Sequence, residues 1–492
     1  MRRTGSTPRF IRPARPEYYV YHMNVRMALA AAASLAVLTG CQDGGPTSPR
    51  SLVPLIAVQH VGVDTSDVGG IYLDIRVPVA ASVDVRYWPL GGGDTLEVTD
   101  IEPAEGGRLL LPRLLPGRVY AYDVVARNAD GVAGPHADGE FRASSLPADL
   151  AGVHFTTTGR STAPLMMVEL NGDFRGVAIL DRSGTPVWWW RSQGGPQGYT
   201  RRANGNFVVN DAGYGLYEIG PDGHVVHALD VTADPVHGPL THHDVLPTAD
   251  NTILFLAKDA RTVGDSTLTG DAVWEWTPET GRVVRRMSVF DFLDPARDIG
   301  SHSTGSDWVH ANSLAYGDHG NLILSLNWLD QVVSIAPRFA GIEWRLGGRG
   351  SSYVTAAGAQ FQGQHTVQQL ANGHLLMFDN GRDRQGEDRY SRALELELDD
   401  VRHTANLVWS FAPSPLLYAP YVGSVRRQAN GNTVAHFGTS SGYRGATGPV
   451  STFEVAPDGQ TLWRLTIESM GGVGISYRDE PLTTVGGEHS VP

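Results

Sequence analysis

The chain has 492 residues, a formal charge of −13 and a single cysteine. That length exceeds one ordinary core, so several domains or one large repetitive architecture are expected. The acidic balance, with no long basic run, excludes nucleic acid as a partner, because phosphate binding needs a positive footprint. One cysteine excludes disulfides and cysteine-rich metal sites, and a zinc site would have to use His, Asp and Glu alone.

Residues 1–22, MRRTGSTPRFIRPARPEYYVYH, lack an apolar core and precede a second methionine, so translation is expected to start at Met23. From there MNVRMALAAAASLAVLTGC supplies a basic residue, Arg26, an apolar stretch too short for a comfortable membrane span, and small residues before Cys41. The LTGC ending resembles the bacterial lipobox, which implies lipidation of Cys41. Residues 1–41 are therefore read as an extension and lipoprotein signal peptide ending at Cys41, and 42–50, QDGGPTSPR, as a flexible tether. Gln42 after the cysteine resembles lipoproteins sent to the outer membrane. The expectation is an exported protein held to the cell envelope by a lipid anchor, periplasmic or at the outer membrane.

Residues 51–147 alternate apolar and polar positions in short runs, among them IYLDIRVPV and SVDVRYWPL, separated by Gly, Pro and Asp. This predicts a small antiparallel β-sandwich, and LLPGRVYAYDVVARNADG within it resembles fibronectin type III domains. It carries no catalytic constellation, and ASSLPADL, residues 143–150, reads as a linker.

From residue 151 to 492 a repeat emerges. RRANGNFVVNDAG, LPTADNTILFLAKDA, LAYGDHGNLILSLNW, QLANGHLLMFDNG and RQANGNTVAHFG each place a turn between two apolar strands, and each is followed by a second strand pair. With GVAILDRSGTPVWWWR as another unit, the pattern predicts an all-β, six-bladed propeller. GISYRDEPL near the C-terminus is expected to pair with the first blade and close the ring.

Three consecutive units carry histidines near the start of their innermost strands: His242 or His243 in HHDVLPTAD, His310 in DWVHANSLAYG, and His365 in GQHTVQQLA. At matching phase they would face one mouth of the central channel. The corresponding places in the flanking units, near Gln197 and Gly423, lack one, which favours a site over a copied structural residue. Such imidazoles suit a metal, with Asp244 or Asp307 assisting, or nucleophilic and acid–base chemistry near neutral pH. These residues alone leave both open.

The ordered set HHD, DWVHANS, EWRLGG and GQHTVQQLANGHLLMFDNG resembles the bacterial arylsulfate sulfotransferases over most of residues 151–492. That resemblance implies transfer of a sulfuryl group from a small-molecule aryl sulfate donor to a phenolic acceptor, with no nucleotide donor, no diffusible cofactor and no metal. His365 would be the nucleophile that becomes a sulfohistidine. His310 and one of the HHD pair would contact sulfate oxygens or handle the phenol proton; His243 stands next to the acid, whereas spacing from Leu246 favours His242.

Where the family carries a sulfate-holding arginine, LILSLNWLDQVV presents Asn327. Candidate replacements are Lys258, the chain's only lysine, and Arg345, Arg349 and Arg382. Trp188, Trp189, Trp190, Trp308 and Trp328 are read as filling between blades, not as site residues. Two other classes fit the same residues. One is a non-catalytic propeller binding an anionic ligand or a surface partner, and the other a sulfate-ester hydrolase in which water replaces the phenol. The oligomeric state is open, a homo-oligomer included.

Overall fold

The computed structural model describes residues 56–66, 68–231, 240–303, 306–386, 389–471 and 474–491. The expected signal peptide, Cys41 and the tether lie outside the described residues.

The N-terminal segment is one continuous six-stranded antiparallel sheet, not two separate ones. Its strands Ile71–Pro89 and Thr95–Leu111, 19 and 17 residues long, are each long enough to serve both ends of the sheet. His60–Thr65 pairs with the first part of Ile71–Pro89, and Val119–Arg127 with the second. Register breaks between Arg76 and Val83 let the sheet turn over a core of Ile71, Leu73, Val85, Tyr87, Tyr120 and Phe141. A C-terminal strand, His489–Val491, joins its edge opposite Thr95–Glu97.

The remainder is a six-bladed β-propeller. Blade 1 is built from Leu165–Asn171, Arg175–Asp181 and Pro186–Arg191, with Asp479–Leu482 as its innermost strand. The expected closure by GISYRDEPL is therefore present, and a second clasp is added where His154–Gly159 pairs with the outer strand of blade 6, Thr461–Ser469. Blade 2 runs from Pro196 to Asp230, blade 3 from Thr241 to Ser288, blade 4 from Ala311 to Leu346, blade 5 from His365 to Phe411 and blade 6 from Ser424 to Ser469.

The sequence encodes this repeat in two ways. The turn between the first two strands of a blade needs a left-handed residue, and Gly205, Gly373 and Gly431 of the Ala-Asn-Gly turns take φ near 84–89°, with Asn251 at 63° in blade 3. Second strands such as Leu322–Leu326 and Leu375–Asp379 are buried at every position because a neighbouring blade covers each face. Leu254 and Leu256 of blade 3 thus pack on Leu314 and Leu324 of blade 4. Burying each such side chain contributes about 1.5–3 kcal/mol. Trp188, Trp189 and Trp308 are buried within these layers, as expected of interblade fillers.

Candidate active site

The innermost strands of blades 3, 4 and 5 end at one mouth of the channel, and there the predicted histidines meet. The ring centroids of His243 and His310 are 4.9 Å apart. Tyr477, from the segment that closes the ring, stands edge-on to both His243, at 5.4 Å, and His365, at 6.0 Å.

The three do not occupy one repeat position. His365 pairs across to Phe378 and His242 to Leu256, and each of those partners stands two residues before a site side chain, Asn380 and Lys258. His243 is an added residue in a β-bulge, with φ 55°, and His310, with φ 52°, precedes the bulge in blade 4. Left-handed backbone at a non-glycine residue costs about 1–2 kcal/mol. Here it turns His243 and His310 toward the mouth, which strict alternation along a strand would not do.

His365 is 4% exposed. Its Nδ1 donates to Oδ1 of Asn380 at 2.7 Å, with the Gly363 carbonyl at 3.1 Å. The Asn380 amide cannot be turned round, because its Nδ2 donates to the carbonyls of Ala419 and Val422 at 2.7 and 2.8 Å. Nδ1 therefore carries the hydrogen, and Nε2 holds a lone pair. Burial, opposed by the Asn380 hydrogen bond, pushes the His365 pKa down to about 4, so the ring is neutral at pH 7.

The other rings are oriented by acids. His310 Nδ1 donates to Asp307 at 2.6 Å. Burial would raise the Asp307 carboxyl, but the hydrogen bond and charge of His310, with Lys258, hold it below the usual range. His242 Nε2 lies 3.0 Å from Asp271, off the line of a good hydrogen bond. Its Nδ1 is 2.7 Å from that of His243. With Nε2–H facing the Asp271 carboxylate, His242 Nδ1 accepts from His243, which leaves His243 Nε2 as a lone pair. Burial, then the neighbouring His310 and His242, holds His243 well below the usual histidine range.

Lys258 reaches the same mouth, with Nζ 2.9 Å from Asp271 and 3.4 Å from Asp307. Burial would lower its pKa, but the two carboxylates outweigh that and raise it. The lysine is charged and already neutralised. Asp244, the other acid considered for a metal, instead accepts from Arg478 and from the Leu314 amide, both at 2.8 Å. Among the described residues, the side chains close enough together to hold a cation are His302, Asp330 and Asp383, not the three histidines.

The mouth opens on a cavity of about 490 Å³ whose wall includes His243, His310, Gln197 and Tyr477. His365 is set back from this wall beside Tyr477.

The family model for arylsulfotransferase (ASST) matches residues 154–478, most of the propeller. The chain belongs to the arylsulfotransferase family. Aryl sulfotransferase activity in general follows from that membership. No curated protein sequence matches. Among solved structures, a protein of unknown function from Bacteroides caccae shares 13% identity at a TM-score of 0.43, covering 64% of this chain and 98% of its own. Virginiamycin B lyase from Staphylococcus aureus shares 12% at 0.36, covering 78% and 99%. A periplasmic gluconolactonase from Pseudomonas aeruginosa shares 13% at 0.33, covering 84% and 99%.

In this member of the family the Asn327 side chain is a brace. It donates through Nδ2 to the Gly363 carbonyl at 2.8 Å, fixing the turn that leads into His365, and accepts from Arg382 Nη1 at 2.9 Å. Arg382 also pairs with Asp330 at 2.7 Å, and its guanidinium lies 5.2 Å from the Trp328 ring, which contacts His310 at 4.7 Å. Of the replacement arginines, Arg382 is therefore beside the cluster. Arg345 and Arg349 are not. Arg345 is on the outermost strand of blade 4, Ile342–Leu346, and Arg349 follows it. They bind Asp298 and the Arg297 carbonyl at 2.9 and 3.1 Å, pinning the short helix Pro295–Asp298.

Sequence reading missed Asn380, Tyr477 and Asp271 and set Trp328 aside. Asn380 carried a signal: like Asn327, it immediately follows the second strand of its blade. Tyr477 carried a weaker one, since a segment that closes the ring must reach the channel.

Proposed function

We propose that this protein moves a sulfuryl group from a phenolic sulfate ester to an acceptor phenol in two displacements, through a sulfohistidine on His365, without a nucleotide donor. The observation that carries this reading is the lock on His365: Asn380 holds its Nδ1–H, burial keeps it neutral, and Nε2 remains available to attack.

In the first displacement Nε2 attacks sulfur as the sulfur–oxygen bond to the phenol breaks. The departing oxygen takes a proton from His310, which Asp307 supports. In the second, the acceptor hydroxyl is oriented by His243 Nε2 and returns its proton to His310. Its oxygen attacks sulfur as the sulfur–nitrogen bond breaks, and neutral His365 is restored. The group in flight spreads charge over equatorial oxygens, as a phosphoryl group does, so positioning and a nearby cation, Arg382, provide most of the catalysis.

The same proposal places the protein in the cell envelope, anchored through Cys41, with the N-terminal sheet as a fibronectin-like spacer. Steady-state rates with donor and acceptor both varied test the chemistry. Parallel double-reciprocal lines support it. Phenol release that ignores the acceptor points to a hydrolase, and no release to a binding propeller.

A further inference from the structure

The cavity wall opposite the histidines has a composition that sulfuryl transfer to a plain phenol does not require. In a ring of six blades, blade 1 faces blade 4 and blade 6 faces blade 3. Arg175, at the start of the third strand of blade 1 counted from the channel, therefore lies across the mouth from His310, and Arg444, on the connection between Thr433–Phe437 and Val450–Val455 of blade 6, lies across from His243. Among the described residues no carboxylate lines the cavity, in a chain whose formal charge is −13.

Among the described residues neither arginine is within ion-pair distance of an acid, whereas Lys258 and Arg382 on the histidine side are already paired. The Arg444 guanidinium is 4.7 Å from the ring of Tyr421 and 5.7 Å from that of Tyr443. These rings meet edge to face at 6.4 Å. The tight turn Tyr443–Gly445 holds Arg444 at φ 47° between Gly442 at 86° and Gly445 at 87°, a backbone that non-glycine residues seldom adopt and that recurs where a side chain must be aimed. About 490 Å³ falls among cavities that hold drug-sized ligands, roughly 300–1,000 Å³, and is more than a single-ring sulfate ester needs.

We propose that the cavity selects aryl substrates with a second anionic group at the end remote from the reacting oxygen, and that Arg175 and Arg444 recognise that group while Tyr421 and Tyr443 flank the connecting ring. The inference rests on the aryl-sulfate reading above, and names the class of molecule that site takes. A carboxylate at the far end would meet two guanidiniums that pair with no acid among the described residues, across the cavity from His243 and His310.

The test compares 3-(4-hydroxyphenyl)propanoate with its neutral amide as acceptors, using a nitrophenyl sulfate donor, in the parent and in an Arg175→Gln/Arg444→Gln double variant. Both side chains are exposed, so the variant folds. The expected result is a kcat/KM ratio favouring the anion by about tenfold or more in the parent, falling toward one in the variant, mostly through KM. Equal ratios in the parent, or a preference that survives in the variant, would overturn the proposal.

If no transfer occurs with any acceptor, titration calorimetry with the same two compounds keeps the two readings apart. Tighter binding of the anion, lost in the double variant, supports the second-anion site while the transferase reading fails. Equal binding overturns it.

Discussion

Replacing Asn380 with aspartate changes one group at the buried nucleophile. In the parent, the amide oxygen accepts from His365 Nδ1 at 2.7 Å, and burial holds the ring near a pKa of 4. A carboxylate there would stabilise the imidazolium, and an opposite charge in contact raises a histidine pKa by about 1–3 units. The folded-state value should move from about 4 to between roughly 5 and 7. The direction is unambiguous: more proton on His365 means less free Nε2, so the acid limb of the rate profile must move to higher pH. With a pKa of about 7, only about 3% of the ring is neutral at pH 5.5, against about 97% in the parent. The rate at that pH should fall about thirtyfold and recover above pH 8. The carbonyls of Ala419 and Val422 also lose their donor, which costs about 1–3 kcal/mol each, so the profile is measured at a temperature where both proteins are folded. The assay is kcat/KM for phenol release from a nitrophenyl sulfate between pH 4.5 and 9. An acid limb in the same place for both proteins would refute the assignment of Asn380 and His365 as one unit.

His310→Gln should slow donors with poor leaving groups by about 10²–10⁴ and nitrophenyl sulfate far less, since only the former need the proton; a leaving-group series measures the slope. Asn327→Arg should not restore a stronger sulfate site. It removes the donor to the Gly363 carbonyl and sets a second cation against Arg382, so a loss of about 2–4 kcal/mol in urea unfolding and a fall in activity are expected. The parent should lose stability as pH falls from about 6.5 toward 4, because the unfolded chain protonates His365 in that window and the folded one does not; the contribution is up to roughly 3 kcal/mol. His365→Gln should show a shallower slope in unfolding free energy against pH.

The propeller was legible because its signals are local: the left-handed turn between the first two strands recurs in blades 2 to 6, and second strands such as Leu322–Leu326 and Leu375–Asp379 are buried throughout. The N-terminal sheet was less so, since alternation marks strands but not where a 19-residue strand bends over its own core. In the site, His310 and His365 stood out as residue types that apolar strands seldom carry, and the choice within HHD depended on a bulge that spacing does not reveal. Arg345 and Arg349 misled because their motif lies on and beyond an outermost strand, away from the channel. What surrounds Asn327 is spatial and has no signal in its own strand: Arg382 arrives from the next blade to bond the asparagine itself.

The central claim is a covalent sulfuryl group on His365. Intact-mass spectrometry at mildly alkaline pH, on protein lacking residues 1–41, after brief exposure to a nitrophenyl sulfate, tests it beside a His365→Ala control. The expected result is a sulfuryl adduct on the parent that the control lacks and that added phenol discharges. A folded parent that releases no phenol and gains no mass, or a control that gains the same adduct, would contradict it.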